Sequence, residues 1–337
     1  MAERRRLIVE VATFVAVLGL VLFLMFRSRP PASYNDCRVA MGTVVSIAVF
    51  GMDDDVASSM VDVAWREIAL VESTMTRYSG ASEVERLNAH GGGVASRAVV
   101  DVVSRALDAA AMSGGAFDPT VGPLSDLWDF RDDMELPEHA ALLAALERVG
   151  HERVTVDTAS LSVELGGAEL DLDGIAKGHA VDRAVTALQS MGVPAALVDA
   201  GGDIRTVGVG PRRGRWRIGV KDPRDEGLLG VLTLETGSVA TSGDYQRCGF
   251  VDGVRYHHIL SPRTGYPARG VMSATVVCDD CILADALATA VFVMGPSEGM
   301  RFIENRDGVE GVIVSGDEET EEVLVSSGLS DRFELAR

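Results

Sequence analysis

The chain has 337 residues and a formal net charge of −19, with 47% hydrophobic and 24% charged residues. These proportions describe a folded protein that can bury a substantial core, and they argue against global disorder. The acidic excess excludes nucleic acid or an anionic lipid surface as a broad-surface partner. A polyanionic substrate would need a local cation or metal to offset the field.

Arg4, Arg5 and Arg6 precede an apolar run from Leu7 to Phe26, interrupted by Glu10 and Thr13. At about 1.5 Å per residue the run spans about 30 Å, a bilayer's hydrocarbon thickness. It reads as an uncleaved signal anchor, with a cleaved signal peptide as the alternative. The arginines favour a cytoplasmic amino end, a signal that Arg27 and Arg29 weaken. This predicts a single-pass inner (cytoplasmic) membrane protein with its body on the periplasmic, extracytoplasmic side. Pro30-Pro31-Ala32-Ser33 marks the linker, with the boundary placed after residue 32 and the catalytic domain over 33–337.

The cysteines are Cys37, Cys248, Cys278 and Cys281. The last two form a lone CxxC, weak evidence for zinc. A disulfide is allowed in an oxidising compartment, but an extended strand disfavours so short a bridge. Small residues in a strand-to-loop segment is the favoured reading.

Along the body, Met41-Gly42-Thr43 leads into a strand over Val44–Phe50. A helix is predicted over Val56–Thr74. Ser82 with Glu85 resembles a capping box opening a short helix, and Gly91-Gly92-Gly93 is a break. A helix over Ser96–Ser113 runs into a loop at 114–123 dense in turn formers, long for a purely structural connection. Pro137–Val149 reads as a helix, and Val154–Val156 and Leu161–Leu165 as strands.

The stretch from Leu170 to Gly208 reads as strand, turn, helix, strand and a second glycine turn. Leu170 and Leu172 alternate with Asp171 and Asp173. Val181, Ala184, Val185 and Leu188 then form one apolar helix face. Two acids at a strand end beside a helix start bearing Lys177 can hold a phosphate, a metal or both, or serve as plain scaffold.

Trp216–Lys221 and Leu229–Leu234 alternate as strands. Gly208-Val209-Gly210-Pro211 is no dinucleotide fingerprint, because a strand follows it and not a helix. Ser238–Asp244 reads as a polar turn and Val271–Cys278 as a strand. Leu283–Met294 is a helix with Asp285 and Thr289 on one face. A helix over Ser297–Asn305 and strands at Val312–Val314 and Val323–Ser326 close the chain.

The ordered set MGT at 41–43, SEVERLN at 82–88, GAFDPTVGPLSDLW at 115–128, LDLDGIAKGHAVD at 170–182, GGDIR at 201–205, ATSGDY at 240–245, HHILSPRTGYP at 257–267 and ADALATA at 284–290 resembles the FAD:protein FMN transferase family, the ApbE-like flavin transferases. The likeness covers roughly residues 40 to 305. It implies an α+β fold of mixed, mostly antiparallel sheets flanked by helices, with a flavin cleft between two halves. It implies magnesium-dependent transfer of FMN from FAD to a Thr or Ser hydroxyl of a target protein, a respiratory or electron-transfer flavoprotein, with release of AMP. Two alternatives are an FAD pyrophosphatase giving FMN and AMP, and a non-catalytic flavin-binding membrane-anchored protein.

The resemblance also implies site residues. Asp285, Thr289 and the Gly174 carbonyl would hold magnesium. Met41, Tyr78, Ala116, Phe117, Asp118, Asp171, Lys177 and Ile259 match flavin-contacting positions, with Arg263 and Thr264 completing a phosphate pocket. His258 matches the family histidine near the acceptor hydroxyl and suits a general base; His257 reads as structural. Two positions depart from the family. Asp173 replaces a usual Gly or Ser, and Ser261 replaces a more common Asp.

Overall fold

A computed structural model describes residues 33–130, 134–316 and 320–336. The anchor and linker expected over 1–32 lie outside the described residues. Among the described residues no helix is long and apolar enough to cross a membrane.

The first strand, β1 (Ser33–Ala40), is polar and mostly exposed, so hydrophobic alternation does not mark it. It is held as an edge strand by eight-residue pairing with β2 (Thr43–Phe50). Met41 and Gly42 form the turn with φ of 52° and 70°. Both central residues of a two-residue hairpin turn of this kind need positive φ, which suits Gly42 and strains Met41.

Then come α1 (Asp54–Met75), α2 (Glu83–His90), β3 (Gly92–Val94), α3 (Arg97–Met112), the single turn α4 (Gly122–Ser125) and α5 (His139–Leu146). Strands β4 (Thr155–Asp157) and β5 (Ser162–Glu164) join β3 in a small sheet. Helix α6 (Asp173–Ser190) precedes the hairpin β6 (Ala195–Ala200) and β7 (Asp203–Gly208). Next are β8 (Trp216–Lys221), β9 (Leu228–Leu234), β10 (Gly237–Gly243), β11 (Cys248–Val251), β12 (Val254–His257) and β13 (Val271–Cys278). The chain ends with α7 (Cys281–Met294), α8 (Pro296–Glu304), β14 (Glu310–Gly316), β15 (Glu321–Val325) and β16 (Phe333–Leu335).

The main sheet has the order β1-β2-β6-β7-β10-β13-β14-β15, with every pairing antiparallel. This is the expected α+β class. Alternate residues of each strand serve two cores. Ala196, Val198 and Ala200 of β6 pack with α1, α3 and α6, while Ala195 and Leu197 face the sheet β16-β9-β8. Helix α7 covers the same face further along, against Ala274 and Val276 of β13. With both faces covered, all eight residues of β13 are buried.

Two expected elements differ. Residues 170–172 are not a strand: the chain passes into α6 directly at Asp173. The Asn88 side chain, from the SEVERLN motif, takes the strand partner's place. Its amide donates to the Leu170 carbonyl at 2.9 Å, and its oxygen accepts the Leu170 N–H at 2.8 Å. Ser238–Gly243 is no polar turn but part of strand β10 in the middle of the main sheet, with Asp244 just past its end. Its hydroxyls are tolerated because they find partners: Thr241 bonds Thr275 at 2.9 Å and Ser238 donates to the Asp279 carbonyl at 3.0 Å. Both thiols of the CxxC are buried, Cys278 at the end of β13 and Cys281 at the start of α7, as small packed residues would be.

Candidate active site

The site is assembled where α6 crosses α7. Gly174, Gly178 and Asp182 recur every four residues along one stripe of α6. Gly178 permits the crossing, since a Cβ there would stand 2.3 Å from the Cys281 carbonyl oxygen. Asp182 accepts the N–H groups of Cys281 and Ile282 at 3.0 and 2.9 Å. It thereby caps the amino end of α7 from the neighbouring helix.

With α7 held in this way, Asp285 and Thr289 meet the start of α6. Asp285 Oδ2 accepts the Gly178 N–H at 2.9 Å. In a regular helix that N–H is the partner of the Gly174 carbonyl. A Cβ on Gly174 would lie 3.5 Å from Thr289 Oγ1, and Thr289 Oγ1 is 3.1 Å from Ser242 Oγ of β10. The buried Asp285 carboxylate, the Thr289 hydroxyl and the Gly174 backbone thus line one point of the same cavity. Among the described residues no group of three His, Cys, Asp or Glu gathers as a metal cage. Three hard oxygens with room for phosphate and water match the habits of magnesium, not of zinc.

Above this point opens a cavity of about 420 Å³, within the range of small-molecule sites. Met41, Tyr78, Ala116, Phe117, Asp118, Asp171, Gly174, Lys177, His258, Ile259, Asp285 and Thr289 all line it. Its walls come from the β1–β2 turn, the end of α1, the 116–130 loop, the start of α6, β10, the 246–262 segment and α7. The Met41 turn is fixed by its N–H, which donates to Glu72 of α1 at 2.8 Å.

Arg263 and Thr264 are not brought to this cavity. Both are exposed on the far side of a tight turn closed by the Gly265 N–H to the Ser261 carbonyl at 2.8 Å. Gly265 has φ 74°, and its carbonyl accepts the Trp128 indole N–H at 2.9 Å. The turn therefore packs inward on Trp128, and the Arg263 side chain reaches the Gly114 carbonyl instead, at 3.2 Å. Asp118 lines the cavity, yet its carboxylate is already engaged. One oxygen accepts the Thr120 N–H at 2.9 Å and the Thr120 hydroxyl, and the other accepts the His151 N–H at 2.9 Å and faces His151 Nδ1 at 3.1 Å. It shapes the loop that presents Ala116 and Phe117. Asp171 similarly accepts the Asp173 N–H at 3.0 Å and the Ser125 hydroxyl at 2.8 Å.

Lys177 is half-buried between two acids. Its amine pairs closely with Asp203 and lies 3.4 Å from Asp285 Oδ1. Burial opposes its charge, but the two carboxylates outweigh that and hold it protonated. Asp203 reaches it from the Gly201-Gly202 turn, which needs glycine: a Cβ on Gly201 would stand 2.4 Å from Thr43 Oγ1. The GGDIR motif thus places one carboxylate beside the lysine and the turn against the MGT turn.

The two histidines have different surroundings. His257 is buried and satisfied as a neutral ring. Its partners assign Nε2–H as donor to the Ala268 carbonyl at 2.9 Å and Nδ1 as acceptor of the Ile259 N–H at 3.3 Å. Burial pushes it down to about 4. His258 borders the cavity, with its backbone N–H donating to the Arg247 carbonyl at 3.1 Å and Nδ1 at 3.4 Å from the same oxygen. That contact assigns the proton to Nδ1 and leaves Nε2 as an acceptor. Burial, and then the Arg247 charge, push His258 below the ordinary range.

Several residues of the site were not singled out individually from the sequence. Arg77 is buried under the cleft and pairs with Asp126 at 2.8 Å and Glu169 at 2.5 Å. Burial works against its charge, and these carboxylates reverse that effect. Glu72, Ser125, Trp128, Phe130, Ser242 and Arg247 also line the cleft. The four-residue repeat of Gly174, Gly178 and Asp182 was the one signal that could have marked the helix crossing.

An antiparallel α+β fold with oxygen donors, a lysine–carboxylate cluster and a histidine gathered around one cleft defines a small-molecule binding site. The sequence model of the ApbE family matches residues 41–313. The chain belongs to the ApbE family. An FAD:protein FMN transferase of Vibrio cholerae is 33% identical over 328 residues, covering 93% of this chain and 97% of that protein. The solved ApbE protein of Thermotoga maritima matches with a TM-score of 0.82 at 35% identity, covering 89% of this chain and 99% of that one. The flavin transferase ApbE from Vibrio cholerae matches with a TM-score of 0.78 at 31% identity, covering 90% and 100%.

Proposed function

We infer that this chain is an FAD:protein FMN transferase, joining the FMN half of FAD to a Thr or Ser hydroxyl of a target protein and releasing AMP. The observation that carries the reading is the convergence of Asp285, Thr289 and Gly174 in one cavity with His258 at its border. Curated relatives named FAD:protein FMN transferase support it.

In this reading Met41, Tyr78, Ala116, Phe117 and Ile259 supply the surface for the ring systems. His258 Nε2 accepts the proton of the acceptor hydroxyl. The hydroxyl oxygen forms a bond to the FMN-side phosphorus, the phosphoanhydride bond breaks, and AMP carries away the electron pair. Asp285, Thr289 and the Gly174 carbonyl are the residues that would hold magnesium, which when bound supplies charge neutralisation for the pyrophosphate. Lys177 holds Asp203 and Asp285 in place as a fixed counter-charge.

We further propose that residues 1–32 form the anchor and linker, on the strength of the arginine-led apolar run from Leu7 to Phe26. The transferase domain over 33–337 would then face the extracytoplasmic side of the inner membrane. Its target there is a respiratory or electron-transfer flavoprotein.

The purified chain, incubated with FAD, magnesium and a Thr-bearing acceptor protein, should leave covalent flavin fluorescence on the acceptor and an equivalent of AMP. AMP without labelled acceptor would favour the pyrophosphatase reading. Flavin binding with no AMP under any divalent metal would leave only a binding protein.

A further inference from the structure

Among the described residues lining the cavity, two side chains carry a fixed positive charge, Lys177 and Arg247. They face Glu72, Asp118, Asp171, Asp173 and Asp285 in the same lining, a balance hostile to a pyrophosphate. Lys177 is already neutralised by Asp203 and Asp285. Arg247 is placed differently. Its side chain is 58% exposed, and its Nη1 stands 4.0 Å from Asp173 Oδ2, beyond hydrogen-bond reach. A surface pair of that length contributes little and is easily exchanged.

The position of Arg247 fits such an exchange. It rises from the segment between β10 and β11 and reaches over the cleft mouth, where a Cβ on Gly42 would lie 3.5 Å from its Nη2. Its own carbonyl accepts the His258 N–H at 3.1 Å. One stretch of backbone therefore carries both the cation and the ring that borders the cavity. A guanidinium is planar and offers paired donors, the geometry that suits phosphate oxygens.

We propose that Arg247 is a phosphate-binding residue of this cleft: its guanidinium leaves Asp173 and engages the pyrophosphate of the flavin dinucleotide beside His258. Asp173 is its resting counter-ion. The proposal rests on the reading of the cleft as an FAD site.

The test is equilibrium binding of FAD and of riboflavin, which lacks phosphate, to the full chain in magnesium buffer, followed by flavin fluorescence quenching. Arg247→Gln should weaken FAD by about ten- to a hundred-fold, the loss of one charge-assisted contact, and leave riboflavin unchanged. Arg247→Lys should recover part of the FAD affinity, keeping the charge without the fork. Unchanged FAD affinity in Arg247→Gln overturns the proposal. So does a parallel loss for both flavins, which would mark damage to the fold. A wild-type chain that binds neither flavin refutes the FAD reading itself, and the proposal falls with it.

Discussion

A Cβ on Gly178 would stand 2.3 Å from the carbonyl oxygen of Cys281, so no side chain fits where α6 crosses the start of α7. That crossing sets the distance from Asp285 to Gly178, 107 residues away in the chain. It thereby sets the distance from Asp285 and Thr289 to Gly174. Replacing Gly178 with Ala should push the helices apart and lower stability by about 1–3 kcal/mol, the usual cost of overpacking. Turnover should fall far more than that loss predicts, because the oxygen set comes apart. Thermal unfolding and the FAD-to-acceptor assay measure the two; a stable, fully active Gly178→Ala protein would contradict the assignment.

Asp203 competes with the proposed metal's ligand for one lysine. In Asp203→Asn the Lys177 amine loses its closest anionic partner and should turn to Asp285. The magnesium concentration for half-maximal rate should then rise about tenfold, an ion-pair effect of about 1.4 kcal/mol. A magnesium titration checks this. An unchanged midpoint with normal folding would show that Lys177 does not bear on Asp285.

His258 must be neutral to accept a proton, and burial together with Arg247 lowers its affinity for one, to about 4. The rate should therefore be flat through neutral pH and fall only as the medium becomes acidic enough to protonate the ring, well below the ordinary histidine value of about 6.5. His258→Gln should lower kcat by about 10²–10⁴, with FAD binding retained, and should erase the acid limb. A pH–rate profile that keeps its acid limb in the variant assigns the base elsewhere.

His257 links stability to pH with a definite sign. Its folded value lies near 4 and its unfolded value near 6.5, so the unfolded chain binds the extra proton between these limits. Its contribution is present in full above about 6.5 and is lost as pH falls toward 4, in total about 3 kcal/mol. Urea unfolding at pH 7.5 and pH 5 should show a steeper loss for the wild type than for His257→Gln. Equal losses in the two proteins would assign the acid sensitivity to other groups.

Much of the architecture was legible because it rests on short-range patterns. The apolar face from Val181 to Leu188 is buried as its spacing required. Ser82 accepts the Glu85 N–H at 3.0 Å, as the cap predicts. The errors came where a side chain or a neighbouring strand replaced the usual partner. Asn88 stands in for a strand beside Leu170, and a cross-strand Thr241–Thr275 pair with the Ser238 bond to the Asp279 carbonyl lets β10 run through the sheet with a loop-like composition. Edge strand β1 was missed because it has no buried face to impose alternation.

By itself the sequence determined the local devices: the helix that puts Asp285 and Thr289 four residues apart, the glycines that allow the two tight turns, and the motif order that marks the ApbE family. Tertiary structure alone decided which charges meet. It joined Lys177 to Asp203 and Asp285, engaged Asp118 with His151, turned Arg263 and Thr264 away from the cavity and brought Arg247 over its mouth. The reason is range. Spacing along a helix or turn is set by backbone geometry within a few residues, whereas pairing across the chain depends on how closely whole helices and strands pack. Here that closeness is set by a missing side chain at Gly178.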